Sequence, residues 1–242
     1  MRLGDWRERV AASPIVSVET AIGPGGLVVI APHPDDECLG ASALIAGAVR
    51  LGRPVGLVAL TDGEASHRSS DTWPARRLAA LRVTEQAAAM QALGAGGAEV
   101  LRLGLPDSGA EWHPRLETSA AAVAALCDRL GATTLAGTVL FDPHTDHRAA
   151  GLLLEAVGEL RPALRLLAYD VWTVRLDADE EVDAEGLEPM RLATPRPQKR
   201  AAVACHRSQL GLVVDDDPDG FTLPRWFLDH HDGETEAVYR LR

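Results

Sequence analysis

The chain has 242 residues, 46% hydrophobic and 24% charged, enough to bury a core without disulfides and too apolar for wholesale disorder. Lys plus Arg is 24 against 35 Asp plus Glu, a formal charge of −11. That charge repels phosphate backbones and anionic membranes, and no Lys/Arg block offsets it, so neither nucleic acid nor a membrane is an expected partner.

The N-terminus has acidic residues and no apolar signal-like stretch, and no apolar run approaches the roughly 18 residues of a membrane span. Cys38, Cys127 and Cys205 are widely spaced, form no CxxC, and read as reduced thiols of a cytoplasmic protein. Apolar runs at 26–31 (GLVVIA), 55–60, 98–103, 133–141 and 164–172 predict strands buried on both faces, as in a parallel sheet. Helical patterns fall between them, at 38–51, 74–93, 117–130 and 147–160, with Gly52, Gly94 and Gly131 as C-terminal stops. Alternating strands and helices predict a doubly wound α/β fold with a mostly parallel sheet and helices on both faces. Further on, 177–188 reads as an acidic loop, 198–207 as a short helix, and 215–220 (DDDPDG) as a solvated acidic turn or disordered loop, with a divalent-ion site the alternative. The last segment, 221–241, reads as strand-like pieces around a DGE turn. These features predict one domain, 1–242, ending in a small C-terminal elaboration from about 211.

Open α/β sheets bind ligands at the carboxyl ends of their strands. The loop after the first strand reads Pro32-His33-Pro34-Asp35-Asp36-Glu37. His33 and Asp36 are three apart in a proline-stiffened turn, so both could reach one metal ion, and a carboxylate beside such an ion, Asp35, suits a general base. The loop after the fourth strand reads Asp142-Pro143-His144-Thr145-Asp146-His147. His147 could complete a site of two histidines and one carboxylate with a position left open, while Asp142 and Asp146 could orient the imidazoles. His144 would then be free for acid–base work or for stabilising an oxyanion. The blander reading of the first loop is an acidic cluster at a helix N-terminus. Only three of the eight histidines fall in these loops, but both loops end strands. Thr61-Asp62-Gly63-Glu64 follows the second strand, Asp107 the third; Arg82 and Glu85 read as a surface pair, and His206 as a helix-end histidine beside Ser208 and Gln209.

PHPDDE, TDGE and HTDH in this order resemble the PIG-L/LmbE-like family of zinc-dependent de-N-acetylases, as do the Arg82/Glu85 helix, the LPD turn at Asp107 and the segment Lys199 to Gln209. The resemblance runs from about residue 26 to about 210 and implies a Rossmann-like core. It implies His33, Asp36 and His147 as metal ligands, Asp35 as base, and His144 as the group that stabilises the tetrahedral intermediate or protonates the leaving amine. Arg82 and Asp107 match substrate-contacting positions, and Glu64 and Asp146 supporting ones. The implied cofactor is Zn2+, although two histidines and one carboxylate also suit Fe2+. The implied substrate is a small N-acetyl amino sugar. Two departures stand out: Thr145 replaces a proline, and Asp142 stands where some relatives carry a tyrosine. Three other readings remain: an amidase for an N-acyl natural product or thiol conjugate, a non-catalytic sugar-binding member, and a nucleotide-binding α/β domain. The last lacks a G-x-G-x-x-G. The Ala/Arg/Gly-rich composition suggests a bacterial source, and a homo-oligomer remains open.

Overall fold

A computed structural model describes residues 1–242. Its strands are β1 (Ile15–Val16), β2 (Gly26–Ala31), β3 (Val55–Ala59), β4 (Glu99–Arg102), β5 (Ala132–Thr138), β6 (Arg165–Tyr169), β7 (Leu187–Ala193) and β8 (Thr235–Leu241). They form one sheet in the order β1-β7-β8-β6-β5-β2-β3-β4, parallel except that β8 runs antiparallel to β6 and β7. The helices are α1 (Leu3–Ala11), α2 (Val18–Ala21), α3 (Asp36–Leu39), α4 (Ser42–Arg50), α5 (Ala75–Ala92), α6 (Arg115–Arg129), α7 (Thr145–Leu160), α8 (Arg196–Val203) and α9 (Arg225–His231). None is long and apolar enough to cross a membrane.

The apolar β2 run reads without alternation because both its faces are covered. Leu27, Val29 and Ala31 pack into one core with α4, and Val28 and Ile30 into the other with α6 and α7. Sheet order reverses at β2, which pairs with β3 on one side and β5 on the other. A crevice opens outside the carboxyl ends of strands at such a point. The loops after β2 and β5 meet there.

Three expectations need correction. The single helix at 38–51 is broken into α3 and α4: a Cβ at Gly40 would lie 2.3 Å from Cδ2 of Tyr169, so the chain passes too close to that ring to carry a side chain. Glu236 then caps α4, accepting from Ser42 Oγ and from the Ala43 N–H. The loop that begins at 177 gives way at Leu187 to β7, which local pattern hides because Pro189 interrupts it; Pro189 lies where β7 has β8 as a partner but not the two-residue β1. The segment 221–241 contains α9 before its strand. That strand, β8, is no appendage, because it lies inside the sheet between β6 and β7. The tract 215–220 is a mostly exposed acidic turn, as expected, and two of its carboxylates tie it back: Asp216 accepts from Ser70 Oγ and the Thr72 N–H, and Asp217 accepts from the Ser69 N–H.

Tyr239 of β8 is 2% exposed and packs 5.3 Å from Trp6 of α1. Tyr239→Ala should therefore cost about 3–5 kcal/mol in denaturant unfolding, as removal of a core aromatic does. A loss below about 0.5 kcal/mol, the level of a surface change, would show that β8 is dispensable.

Candidate metal centre

The loop after β2 turns sharply. Asp35 takes φ +132°, a conformation rare for an L-residue that costs of order 1–3 kcal/mol. Three contacts hold it. Its N–H donates to Glu37 Oε2 (3.2 Å), and Arg82 donates to Pro34 O (2.7 Å) and to Asp35 Oδ2 (3.2 Å). Arg82 also donates to Gly63 O (2.7 Å), and a Cβ at Gly63, where φ is +68°, would lie 2.2 Å from Arg82 Nη1. Glycine is thus required in TDGE, and α5 locks the loops after β2 and β3 together through one guanidinium. Arg82 and Glu85 are not a surface pair: both are buried, and Glu85 accepts from the Ser208 N–H (2.8 Å) and Ser208 Oγ (2.6 Å). Arg82, expected at the substrate, lines the cleft but directs its hydrogen bonds at these loops.

His33, Asp36 and His147 converge. Asp36 Oδ2 is 3.2 Å from His33 Nδ1 and 3.2 Å from His147 Nε2. Ligand atoms about 2.0–2.1 Å from a tetrahedral ion lie about 3.3 Å apart, so these separations fit one ion. Each imidazole has a carboxylate behind it: Asp146 Oδ2 is 3.0 Å from His33 Nε2, and Asp142 Oδ2 is 3.3 Å from His147 Nδ1. That arrangement selects the tautomer presenting Nδ1 of His33 and Nε2 of His147 to an ion. His147 Nε2, the nitrogen turned towards Asp36, is buried without an aligned hydrogen bond, which suits a donor to a metal ion. The electrostatics agree. Burial alone would lower the His33 pKa, yet Asp107, Asp146 and Asp36 raise it well above its usual value. Burial likewise opposes protonation of His147, but Asp36 and Asp142 raise it to about 9. The carboxylates call for positive charge here, and a divalent cation can replace those two protons. The donor set therefore fits a metal ion.

His144 caps α7, its Nδ1 accepting from the Asp146 N–H (3.2 Å). Burial and the neighbouring His33 and His147 lower its pKa to about 4, so the ring is neutral at pH 7 with its proton on Nε2. Asp35 moves the other way: burial raises its carboxyl to about 6, although Arg82 pulls it down. Asp107 Oδ2 accepts from the Ala65 N–H (2.8 Å), while Glu64 Oε1 accepts from the Asp107 N–H (3.0 Å), a reciprocal latch between the loops after β3 and β4. Asp146 also accepts from the N–H groups of Ser108 (2.6 Å) and Ala110 (3.0 Å). Asp142, the departure at the tyrosine position, is fully buried and accepts from the N–H groups of His144 (3.0 Å) and Trp172 (2.9 Å).

His33, Asp35, Asp36, Arg82, Asp107 and His144 line a cleft of about 550 Å3, while His147, Asp142 and Asp146 are fully buried. Residues that sequence reasoning did not assign to it, Trp172, Arg175, Leu176, Phe221 and Leu223, form part of its wall. They come from separate segments with no motif. Glu37 was also unassigned; it sits behind Asp35, accepting from Gln86 Nε2 (3.1 Å), with His206 Nε2 at 3.5 Å.

The PIG-L family model, described as GlcNAc-PI de-N-acetylase, matches residues 28–157, over half of the chain. No curated protein matches the sequence. Several solved structures share the fold. The deacetylase of the A40926 pseudoaglycone is 20% identical with a TM-score of 0.68, covering 91% of this chain and 98% of that one. The zinc-inhibited form of teicoplanin deacetylase is 17% identical with a TM-score of 0.64, covering 89% and 97%. N,N'-diacetylchitobiose deacetylase from Pyrococcus horikoshii is 18% identical with a TM-score of 0.62, covering 89% and 83%.

Elemental mass spectrometry should find ~1 divalent cation per chain in protein purified without chelator, and its loss in His33→Ala and His147→Ala. Asp142→Asn, which weakens the support of His147, should reduce metal affinity about 10–100-fold. Undiminished metal in His147→Ala would mean that the ion is held elsewhere.

Proposed function

The chain belongs to the PIG-L de-N-acetylase family, and on that premise we propose that it is a metal-dependent hydrolase removing an acetyl group from the nitrogen of an amino sugar. One observation carries the reading: two carboxylate-backed imidazoles and Asp36 converge at the sheet's switch point, with Asp35 beside them on the floor of a cleft. His33, Asp36 and His147 would hold the ion. Zinc is the ion we favour, with Fe2+ the alternative. Bound there, it would supply Lewis-acid activation of water and of the amide carbonyl, bringing the pKa of water towards about 7.

The protein's own groups account for the proton movements. Asp35, ionised, takes a proton from the attacking water as its oxygen bonds to the carbonyl carbon. His144 donates Nε2–H to the oxyanion that develops, which its neutral state permits. The proton on Asp35 then passes to the nitrogen as the C–N bond breaks, leaving acetate and a primary amine. Arg82 acts as a positioning residue in this scheme, holding the Asp35 carboxylate and its strained backbone. Asp107 borders the same floor, in contact with His33 (3.4 Å), and is assigned to the substrate's polar groups.

The named structural relatives act on a glycopeptide pseudoaglycone, teicoplanin and diacetylchitobiose. They support an amino-sugar substrate over other N-acyl compounds. A small-molecule substrate also suits a cleft of about 550 Å3.

Asp35→Asn should lower kcat by about 10²–10⁴-fold while the metal stays bound. Arg82→Met should act through pH. Its cation lowers the Asp35 pKa, so its loss raises that pKa. The base is lost as pH falls through its pKa, so the acid limb of kcat/KM should move to higher pH. An unmoved acid limb in Arg82→Met would separate Asp35 from the titration.

A further inference from the structure

Beyond the reacting groups, the cleft continues along a wall that the motif loops do not supply. Trp172, Arg175, Leu176, Phe221 and Leu223 line it, and all five lie outside residues 28–157. Three aromatic rings form a ladder there. Trp172 stacks on Phe227 at 4.0 Å, and Phe221 meets Trp172 edge-on at 5.7 Å. Trp172 and Phe227 are buried, but Phe221 is 39% exposed at the cleft. Its position is fixed from below: its N–H donates to Ser66 O (2.7 Å), and Asp216 and Asp217 pin the preceding turn. An aromatic face held open beside a reacting site is a platform for another ring.

Arg175 stands on the same wall, its guanidinium 5.8 Å from the Trp172 ring. It is exposed, and it is the one arginine lining the cleft that makes no hydrogen bond or ion pair; Arg82 is committed to Asp35 and the loop carbonyls. Its turn is rigid, because Arg7 of α1 donates to Thr173 O (2.8 Å) and Leu176 O (3.1 Å). On a chain carrying −11, an exposed arginine at the cleft with no carboxylate partner is a local attraction for an anionic group on a ligand. The cleft, at about 550 Å3, lies in the range of pockets for drug-sized ligands.

We propose that this wall is an aglycone subsite: the substrate is an amino sugar joined to a flat apolar ring that bears an anionic group, with Phe221 against the ring and Arg175 against the anion. The proposal rests on the deacetylase reading of the same cleft. Methyl, phenyl and 4-carboxyphenyl glycosides of N-acetylglucosamine test both, using the metal-loaded full chain. Wild-type kcat/KM should rise about tenfold from methyl to phenyl and several-fold again with the carboxylate. Phe221→Ala should collapse the phenyl/methyl ratio to below about twofold, and Phe221→Leu, which keeps apolar bulk without a ring, should lower it as well. Arg175→Gln should abolish the carboxylate increment alone. Each readout is a ratio within one variant, so partial misfolding cancels. Equal rates for methyl and phenyl glycosides in the wild type would overturn the ring platform, and a carboxylate that slows turnover would overturn the role of Arg175. If none of the three is hydrolysed, the deacetylase reading falls instead. Calorimetric affinities of the same three glycosides then decide the subsite by the same ratios.

Discussion

Burying carboxylates demands compensation, and the crevice at the β2/β5 switch point buries Asp35, Asp36, Asp142 and Asp146 together. The protein meets that demand in two ways. Some lone pairs are satisfied by backbone N–H groups: Asp146 takes those of Ser108 and Ala110, and Asp142 those of His144 and Trp172. The remainder face imidazoles and one guanidinium. The excess of acceptors over donors is what raises His33 and His147 above their ordinary values and suits the centre to a cation. Structure and chemistry thus have one electrostatic origin, since the carboxylates that need a positive partner are those that orient the ligands.

The same constraint couples the loops. Arg82 ties together the turns after β2 and β3, and Asp107 with Glu64 ties those after β3 and β4. Asp146 reaches from α7 back to the turn after β4. Four separate chain segments are thereby fixed relative to one another, and the strained backbone of Asp35 is carried by that network. Such preorganisation matters because a carboxylate must sit within hydrogen-bond reach of the water it activates.

Reactive groups and selective groups come from different stretches of the chain. Every candidate ligand, base and oxyanion donor lies within residues 28–157. The wall bearing Trp172, Arg175 and Phe221 comes after it, fixed by α9, Arg7 of α1 and the pinned acidic turn. A loop wall of this kind can change the accepted substrate while the strand ends that hold the chemistry stay as they are.

How much of this was legible from residues alone follows from the range of each interaction. Burial on both faces writes itself into consecutive residues, so the apolar runs marked β2, β3, β5 and β6; the run at 98–103 also marked a strand, but β4 is the sheet's edge, with Glu99 and Val100 exposed, so the expectation that it is buried on both faces is corrected. His33 and Asp36 share one turn, as do His144 and His147, so the candidate ligands could be named from spacing and from their place after strands. The sequence alone therefore determined the α/β class and the two loops. Tertiary structure decided everything that joins residues far apart in the chain. It buried Arg82 and turned it on Asp35, 47 positions away, and it set Glu85 against Ser208, 123 positions away. It inserted β8 between β6 and β7, and it set Phe221 edge-on against Trp172 in one wall. No local periodicity records such contacts, because the partner that satisfies a buried charge or ring is chosen by where the sheet brings the chain back.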